Sequence, residues 1–138
     1  DRNFGNRRAR LEPHVLQRLR VDVALLVRMD GDLVFRALEN LVQNSFRYAE
    51  ERSLIRFTAE NAGGAIKISV TNLGETIAEK DLPFIFEPFY RGSKARAGSG
   101  FGLGLSVVKS VVESHGWALE VSSLNRETRF TVVIKHVD

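Results

Sequence analysis

Four glycines at alternate positions, Gly98, Gly100, Gly102 and Gly104, run directly into an apolar series, and no other stretch limits what this chain can become as firmly. With no Cβ in the way, such a run lets backbone N–H groups come close to a polyphosphate. Leu105, Val107, Val108, Val111 and Val112 then continue at helical spacing, so a helix starts at once. A phosphate held by the loop would lie against that helix's N-terminus and its partial positive charge. Taken alone, such a loop is more often an ordinary flexible connection. Counting residues excludes the better-known glycine motifs. No Gly-Lys-Ser/Thr occurs, and position 105 is Leu, so neither a P-loop nor a Rossmann fingerprint is present.

Length and composition predict one compact domain over 1–138. At 138 residues, with 43% hydrophobic and 27% charged residues, the chain can remove roughly two-thirds of its unfolded surface from water. With no cysteine there is no disulfide framework, zinc-ribbon spacing or thiol nucleophile, which suits a reducing cytoplasm. No apolar run reaches membrane-spanning length, and the opening DRNFGNRRAR lacks a signal-peptide core. Asp1 in place of Met points to an excised fragment. Net charge is +3, and Arg7, Arg8, Arg10, Arg18 and Arg20 gather near the start. Without aromatic interleaving they read as a solvated tail rather than a nucleic-acid footprint.

The order of elements predicts an α/β (α+β) two-layer sandwich, with helices on one face of a mixed, mainly antiparallel sheet. Residues 21–29 (VDVALLVRM) read as a strand, and Asp30-Gly31-Asp32 as a turn whose last Asp caps the next helix. Leu33, Val34, Ala37, Leu38, Leu41, Val42, Ser45, Phe46 and Ala49 recur as the broad buried face of a helix over 33–49. Strands at 54–60 and 65–72 flank Asn61-Ala62-Gly63-Gly64, a hairpin turn by composition. A second hairpin joins 117–123 to 128–135.

Asn40, Asn44 and Arg47 follow one another at i, i+4 and i+7, a polar stripe expected opposite the core face of the first helix. Mg²⁺ takes oxygen ligands and fills its shell with waters and phosphates, so the Asn44 carbonyl is a sufficient protein ligand. Without the glycine loop, Asn40, Gln43 and Asn44 read first as the solvated side of an amphipathic helix.

Joint evidence comes from order. ENLVQNSFRYA, VTNLGETI, FEPFYR and GFGLGLSVVKSVVESHG succeed one another at about the spacing of the sensor histidine kinase ATP-binding (GHKL-type) domain, which the chain resembles from about Asp30 to Phe130. The resemblance implies the Bergerat-type sandwich shared with gyrase-type and heat-shock-chaperone ATPases, and ATP and Mg²⁺ as cofactors. It places the Mg²⁺ ligand on Asn44 and a catalytic, phosphate-side group on Asn40, Asn44, Arg47 and Arg91. Tyr48 falls near the nucleotide, and Asn72, Gly74, Thr76 and Ile77 in the adenine motif, where Gly74 would leave room for the base. Phe86 and Phe89 occupy the aromatic box that anchors a lid, and core packing is their other reading. Gly100, Gly102, Leu103, Gly104 and Leu105 form the phosphate loop. Lys94 and Arg96 add cations around a triphosphate, and Arg91 can fork onto an oxygen as Lys cannot.

The resemblance implies three partnerships: a helical dimerisation and phospho-acceptor domain of the same parent kinase, a response regulator, and homodimerisation of the full-length protein. The setting implied is the cytoplasmic side of a membrane-anchored bacterial sensor. The pattern also departs from the family. Asn72 stands where Asp is usual, Thr76 for a second glycine, Phe101 for a small hydroxylated residue and Trp117 for a glycine, while Leu124-Asn125-Arg126-Glu127 lacks the glycines common at that turn. None of His14, His115 and His136 sits in a phospho-acceptor pattern, so each reads as a surface or capping histidine. Two other functions stay open at this level: a degenerate module of the same fold with lost or weak ATP binding that acts in protein–protein regulation, and an anti-sigma-type serine kinase.

Overall fold

The computed structural model describes residues 29–90 and 104–135. Helix α1 (Gly31–Tyr48) is followed by strands β1 (Ile55–Asn61) and β2 (Ala65–Leu73) and a 3₁₀ turn at Leu82–Phe84. Helix α2 (Gly104–Ser114) and strands β3 (Ala118–Leu124) and β4 (Glu127–Lys135) complete the order. The strands form one antiparallel sheet in the order β1-β2-β4-β3. Both expected hairpins are present. The strand expected at 21–29 falls outside the described residues except for Met29.

Helix α1 begins two residues earlier than its apolar pattern suggests. Asp30, not Asp32, is the N-cap, because Asp30 has extended backbone and its carboxylate accepts the Leu33 N–H at 3.2 Å. Asp32 instead sits in the first turn, where its charge favours the positive end of the helix. Val34, Ala37, Leu41 and Ser45 are the buried face. At 100° per residue Asn40, Asn44 and Arg47 lie beside that face, not opposite it. Asn40 and Asn44 are accordingly half-buried.

Helix α2 ends in a Schellman motif. Gly116 has φ +71, its N–H bonds the Glu113 carbonyl at 3.0 Å, and the Trp117 N–H reaches the Val112 carbonyl at 3.0 Å. Trp117, in the position beyond the glycine, turns inward and joins the core. The two helices run antiparallel, since His115 at the end of α2 accepts the Asp30 N–H through Nε2 at 3.0 Å while Gly104 at its start lies beside Asn40. They cover one face of the sheet, with Leu41, Val70, Val108 and Phe130 fully buried between the layers. Each such aliphatic or aromatic side chain contributes about 1.5–3 kcal/mol by leaving water.

On β2 and β4 the inward residues Ile68, Val70, Val132 and Phe130 alternate with outward Lys67, Ser69, Thr131 and Arg129. The outward hydroxyls are themselves paired, Ser69 to Thr131 at 2.9 Å, so the outer face is polar without orphan groups. At Gly63 (φ +52) and Gly64 (φ +88), the β1–β2 turn uses the left-handed conformation that a two-residue hairpin requires.

Candidate nucleotide-binding site

At one end of the sandwich the inner face of the sheet turns polar. Asn72 on β2, 2% exposed, pairs in register with Thr128 on β4, which is 5% exposed. The Thr128 hydroxyl lies 2.8 Å from that of Ser123 on β3, and Ser123 Oγ accepts the Ile77 N–H at 2.8 Å. The last turn of α1 meets this end of the sheet, where Ala49 forms a bridge with Gly74 and Glu50 N–H bonds the Leu73 carbonyl at 2.8 Å. Ser45, one turn before Ala49, is on the buried face of α1. Its hydroxyl is the single buried side-chain polar atom without a partner among the described residues. An orphan of this kind costs about 1–3 kcal/mol unless a water or ligand satisfies it. A buried carboxamide, paired hydroxyls and a hydroxyl in want of a partner fit the polar edge of a nucleotide base.

The phosphate side lies where α2 begins. The Asn40 carboxamide oxygen lies 3.5 Å from where a Cβ on Gly104 would stand, an ordinary contact, so crowding is not what requires glycine there. Because α2 starts opposite Asn40, the last two turns of α1, carrying Asn44, Arg47 and Tyr48, run past it. Arg47 and Tyr48 are exposed on this lip, and Leu105 is half-buried against the core. A carboxamide oxygen and a guanidinium ahead of a helix N-terminus form a setting in which Mg²⁺ and phosphate can be held. Arg91, Gly100, Gly102 and Leu103 lie outside the described residues, as do Lys94, Arg96 and Phe101.

Gly74 has a packing role beside the one expected. A Cβ there would stand 2.3 Å from the Tyr48 carbonyl oxygen and 3.5 Å from the Asn72 side-chain amide nitrogen, so this glycine lets the strand end touch the helix end. The two box phenylalanines also separate. Phe86 is half-buried, edge-on to Phe130 at 6.0 Å, whereas Phe89 is 68% exposed with φ +65. Among the described residues Phe86 packs against the core and Phe89 does not. Tyr90 closes the segment by donating to Asp81 at 2.5 Å, and that bond, chiefly, holds its phenol above the usual tyrosine range.

Sequence reasoning missed Ser45 and Thr128 as site residues because each reads locally as a core or strand position. It also missed Arg126, whose backbone carbonyl accepts the Gly74 N–H at 2.8 Å. A polar residue at an inward register position was the available signal for Thr128. A shallow polar groove between Lys67, Glu120 and Arg129 lies on the outer face of the sheet, away from the helices and this site.

Helices on one face of an antiparallel sheet, with a polar inner corner beside a helix N-terminus, define an ATPase-type nucleotide domain. Residues 29–138 match the family of histidine kinase-, DNA gyrase B-, and HSP90-like ATPases, and the chain belongs to that family. It is 38% identical over 120 residues to the sensor protein CzcS of Cupriavidus metallidurans, covering 79% of this chain and 25% of CzcS. It is 40% identical over 109 residues to the sensor-like histidine kinase SenX3 of Mycobacterium tuberculosis, covering 76% of this chain and 27% of SenX3. The solved structure of the mycobacterial sensor histidine kinase MprB superposes with TM-score 0.83 at 26% identity, over 98% of this chain and 91% of that one. The chain spans about a quarter of the length of CzcS and SenX3. No helix among the described residues is long and apolar enough to cross a membrane.

Proposed function

We propose that this chain is the single ATP-binding catalytic domain of a two-component sensor histidine kinase, presenting the γ-phosphate of ATP to a histidine on a separate helical dimerisation domain of its parent protein. The observation that carries this reading is the meeting of the Asn40–Asn44–Arg47 flank of α1 with the N-terminus of α2, at the end of the sheet where Asn72 and Thr128 are buried. In this reading Asn72, Thr128, Ser45 and Ile77 hold the base, Tyr48 lies against the nucleotide, and Asn44 supplies the protein oxygen for Mg²⁺. Arg47 and Arg91 neutralise phosphate oxygens, while Gly100, Gly102, Leu103, Gly104 and Leu105 wrap the phosphate side. Mg²⁺, when bound, would spread the negative charge that builds on the transferred group. Phosphoryl transfer depends on such positioning and charge stabilisation, so these residues need supply no nucleophile. The acceptor histidine and the dimer contacts belong to the parent protein, a membrane-anchored bacterial sensor with this domain on its cytoplasmic side, and a response regulator takes the phosphate onward.

The degenerate-module alternative has no observation in its favour. Trp117 completes a helix cap and the core, and Thr76 bonds the β3–β4 turn, so neither departure fills the base corner. Calorimetric titration with a non-hydrolysable ATP analogue, with and without Mg²⁺, tests the reading on this chain and its Asn44→Ala variant. Binding that needs Mg²⁺ and Asn44 is expected. No binding under any condition would overturn it, and failure to phosphorylate any acceptor domain despite tight binding would remove the kinase step.

A further inference from the structure

The β3–β4 turn carries a conformational cost at Arg126 that a glycine in its place would avoid. Asn125 (φ +52) and Arg126 (φ +64) both occupy the left-handed region. A two-residue hairpin needs that backbone, normally from Asn-Gly. Asn tolerates it, but an arginine there costs about 1–2 kcal/mol relative to glycine. Three contacts outside the hairpin also hold Arg126. Its N–H donates to Thr76 Oγ1 at 2.9 Å, its carbonyl accepts the Gly74 N–H at 2.8 Å, and its guanidinium pairs with Glu50 at the end of α1. Glu50 in turn donates its N–H to the Leu73 carbonyl, and Ile77 N–H is fixed by Ser123 Oγ. The segment from Leu73 to Ile77 is therefore stapled at four of its five residues, by α1 on one side and by the β3–β4 hairpin on the other.

We propose that Thr76 and Arg126, with Glu50, form a clasp that pre-positions the Asn72–Ile77 segment for the nucleotide base, so that base affinity depends on a bond between two residues that contact each other rather than the ligand. Both are positioning residues. The inference rests on the ATP-binding reading above. Its physical basis is preorganisation: a segment already fixed by protein bonds loses less freedom when the ligand binds. Neither Thr76 nor Arg126 is a glycine, and the hydroxyl of one accepts the backbone N–H of the other, so the bond restrains both segments. The guanidinium–carboxylate pair is the weaker part, since both side chains are about half exposed and such pairs contribute little.

The test is nucleotide titration of the full chain carrying Thr76→Val, Thr76→Ser or Glu50→Gln, with a non-hydrolysable ATP analogue and with inorganic triphosphate as probes. Thr76→Val is expected to weaken the ATP analogue about fivefold, the equivalent of about 1 kcal/mol. Thr76→Ser, which keeps the hydroxyl, brings affinity back to within about twofold, and Glu50→Gln weakens it about twofold. Triphosphate affinity stays the same in all three, because the clasp acts on the base side. A merely structural role would lower the melting temperature and leave the affinity measured far below it unmoved. Equal analogue affinity for Thr76→Val and the unmutated chain, or an equal loss for triphosphate, overturns the clasp. If Thr76→Val does not fold, Glu50→Gln alone decides, and unchanged analogue affinity there overturns it. No binding of the analogue to the unmutated chain overturns the ATP reading and the clasp with it.

Discussion

The two ends of the antiparallel helix pair are built on opposite principles. At the far end, His115 donates Nδ1–H to the Val111 carbonyl at 2.8 Å and accepts the Asp30 N–H at Nε2, while its ring stacks on Trp117 at 4.4 Å. Those partners fix the neutral Nδ1–H tautomer and satisfy one terminus of each helix. At the site end, Ser45 Oγ has no partner among the described residues, Arg126 has positive φ, and Gly74 touches backbone so closely that no side chain fits. One end is finished by its own hydrogen bonds, and the other stores cost where a ligand would bind. A domain that must hold its shape while one corner accepts and releases a molecule gains from keeping the two apart.

The largest expected break in that contrast is Gly74→Ala. Its Cβ would overlap the Tyr48 carbonyl, and relief requires backbone to move, so a loss of about 2–3 kcal/mol is expected in urea unfolding. Gly31→Ala, with nothing within 4 Å of the new Cβ, should stay within about 0.5 kcal/mol of the unmutated chain. At the far end, His115→Ala removes both hydrogen bonds and the stacked ring, for an expected loss of about 1–2 kcal/mol. Nucleotide affinity should stay unchanged, and a shift in it would mean the two ends are coupled. Ser45→Ala should act with opposite sign, raising the stability of the ligand-free chain by up to about 1 kcal/mol because it deletes an unsatisfied buried group. Destabilisation of the ligand-free chain would show that the hydroxyl is already satisfied.

The smallest effect concerns Tyr90. Its folded phenol is held above the ordinary range, first by the Asp81 hydrogen bond, so its contribution to stability is fully present below the unfolded phenol's value and is lost as pH rises through the folded one. Ultraviolet titration should show Tyr90 ionising late, and Asp81→Asn should bring it down toward the ordinary tyrosine range. No change in the titration on Asp81→Asn would contradict the contact.

Much of the fold was legible because its signals are periodic. The apolar spacing of 33–49 and 105–112 placed both helices, and alternation with glycine at 63–64 placed the first hairpin. The second hairpin was legible from its strands alone, since its turn carries no glycine. The candidate site was legible as residue types but not in its geometry. Asn40 and Asn44 share one stripe of α1 as expected, yet that stripe borders the core rather than opposing it, because the buried face of α1 is centred on Leu41 and Ser45. Asp30 took the cap expected of Asp32 because its backbone is extended where Asp32 is already helical.

Sequence by itself determined which segments could be helix or strand, which of them carry apolar faces, and which family the four motifs resemble, because those properties reside in spacing and residue type along the chain. Only the tertiary structure decided that Gly74 is needed by Tyr48, that Phe86 is core and Phe89 surface, and that Thr76 and Arg126 meet across 50 residues. Those outcomes depend on how closely two backbones approach and on which hydrogen bonds remain unmade once the layers close. No local pattern encodes such distances, since they are set by the packing of all the elements at once.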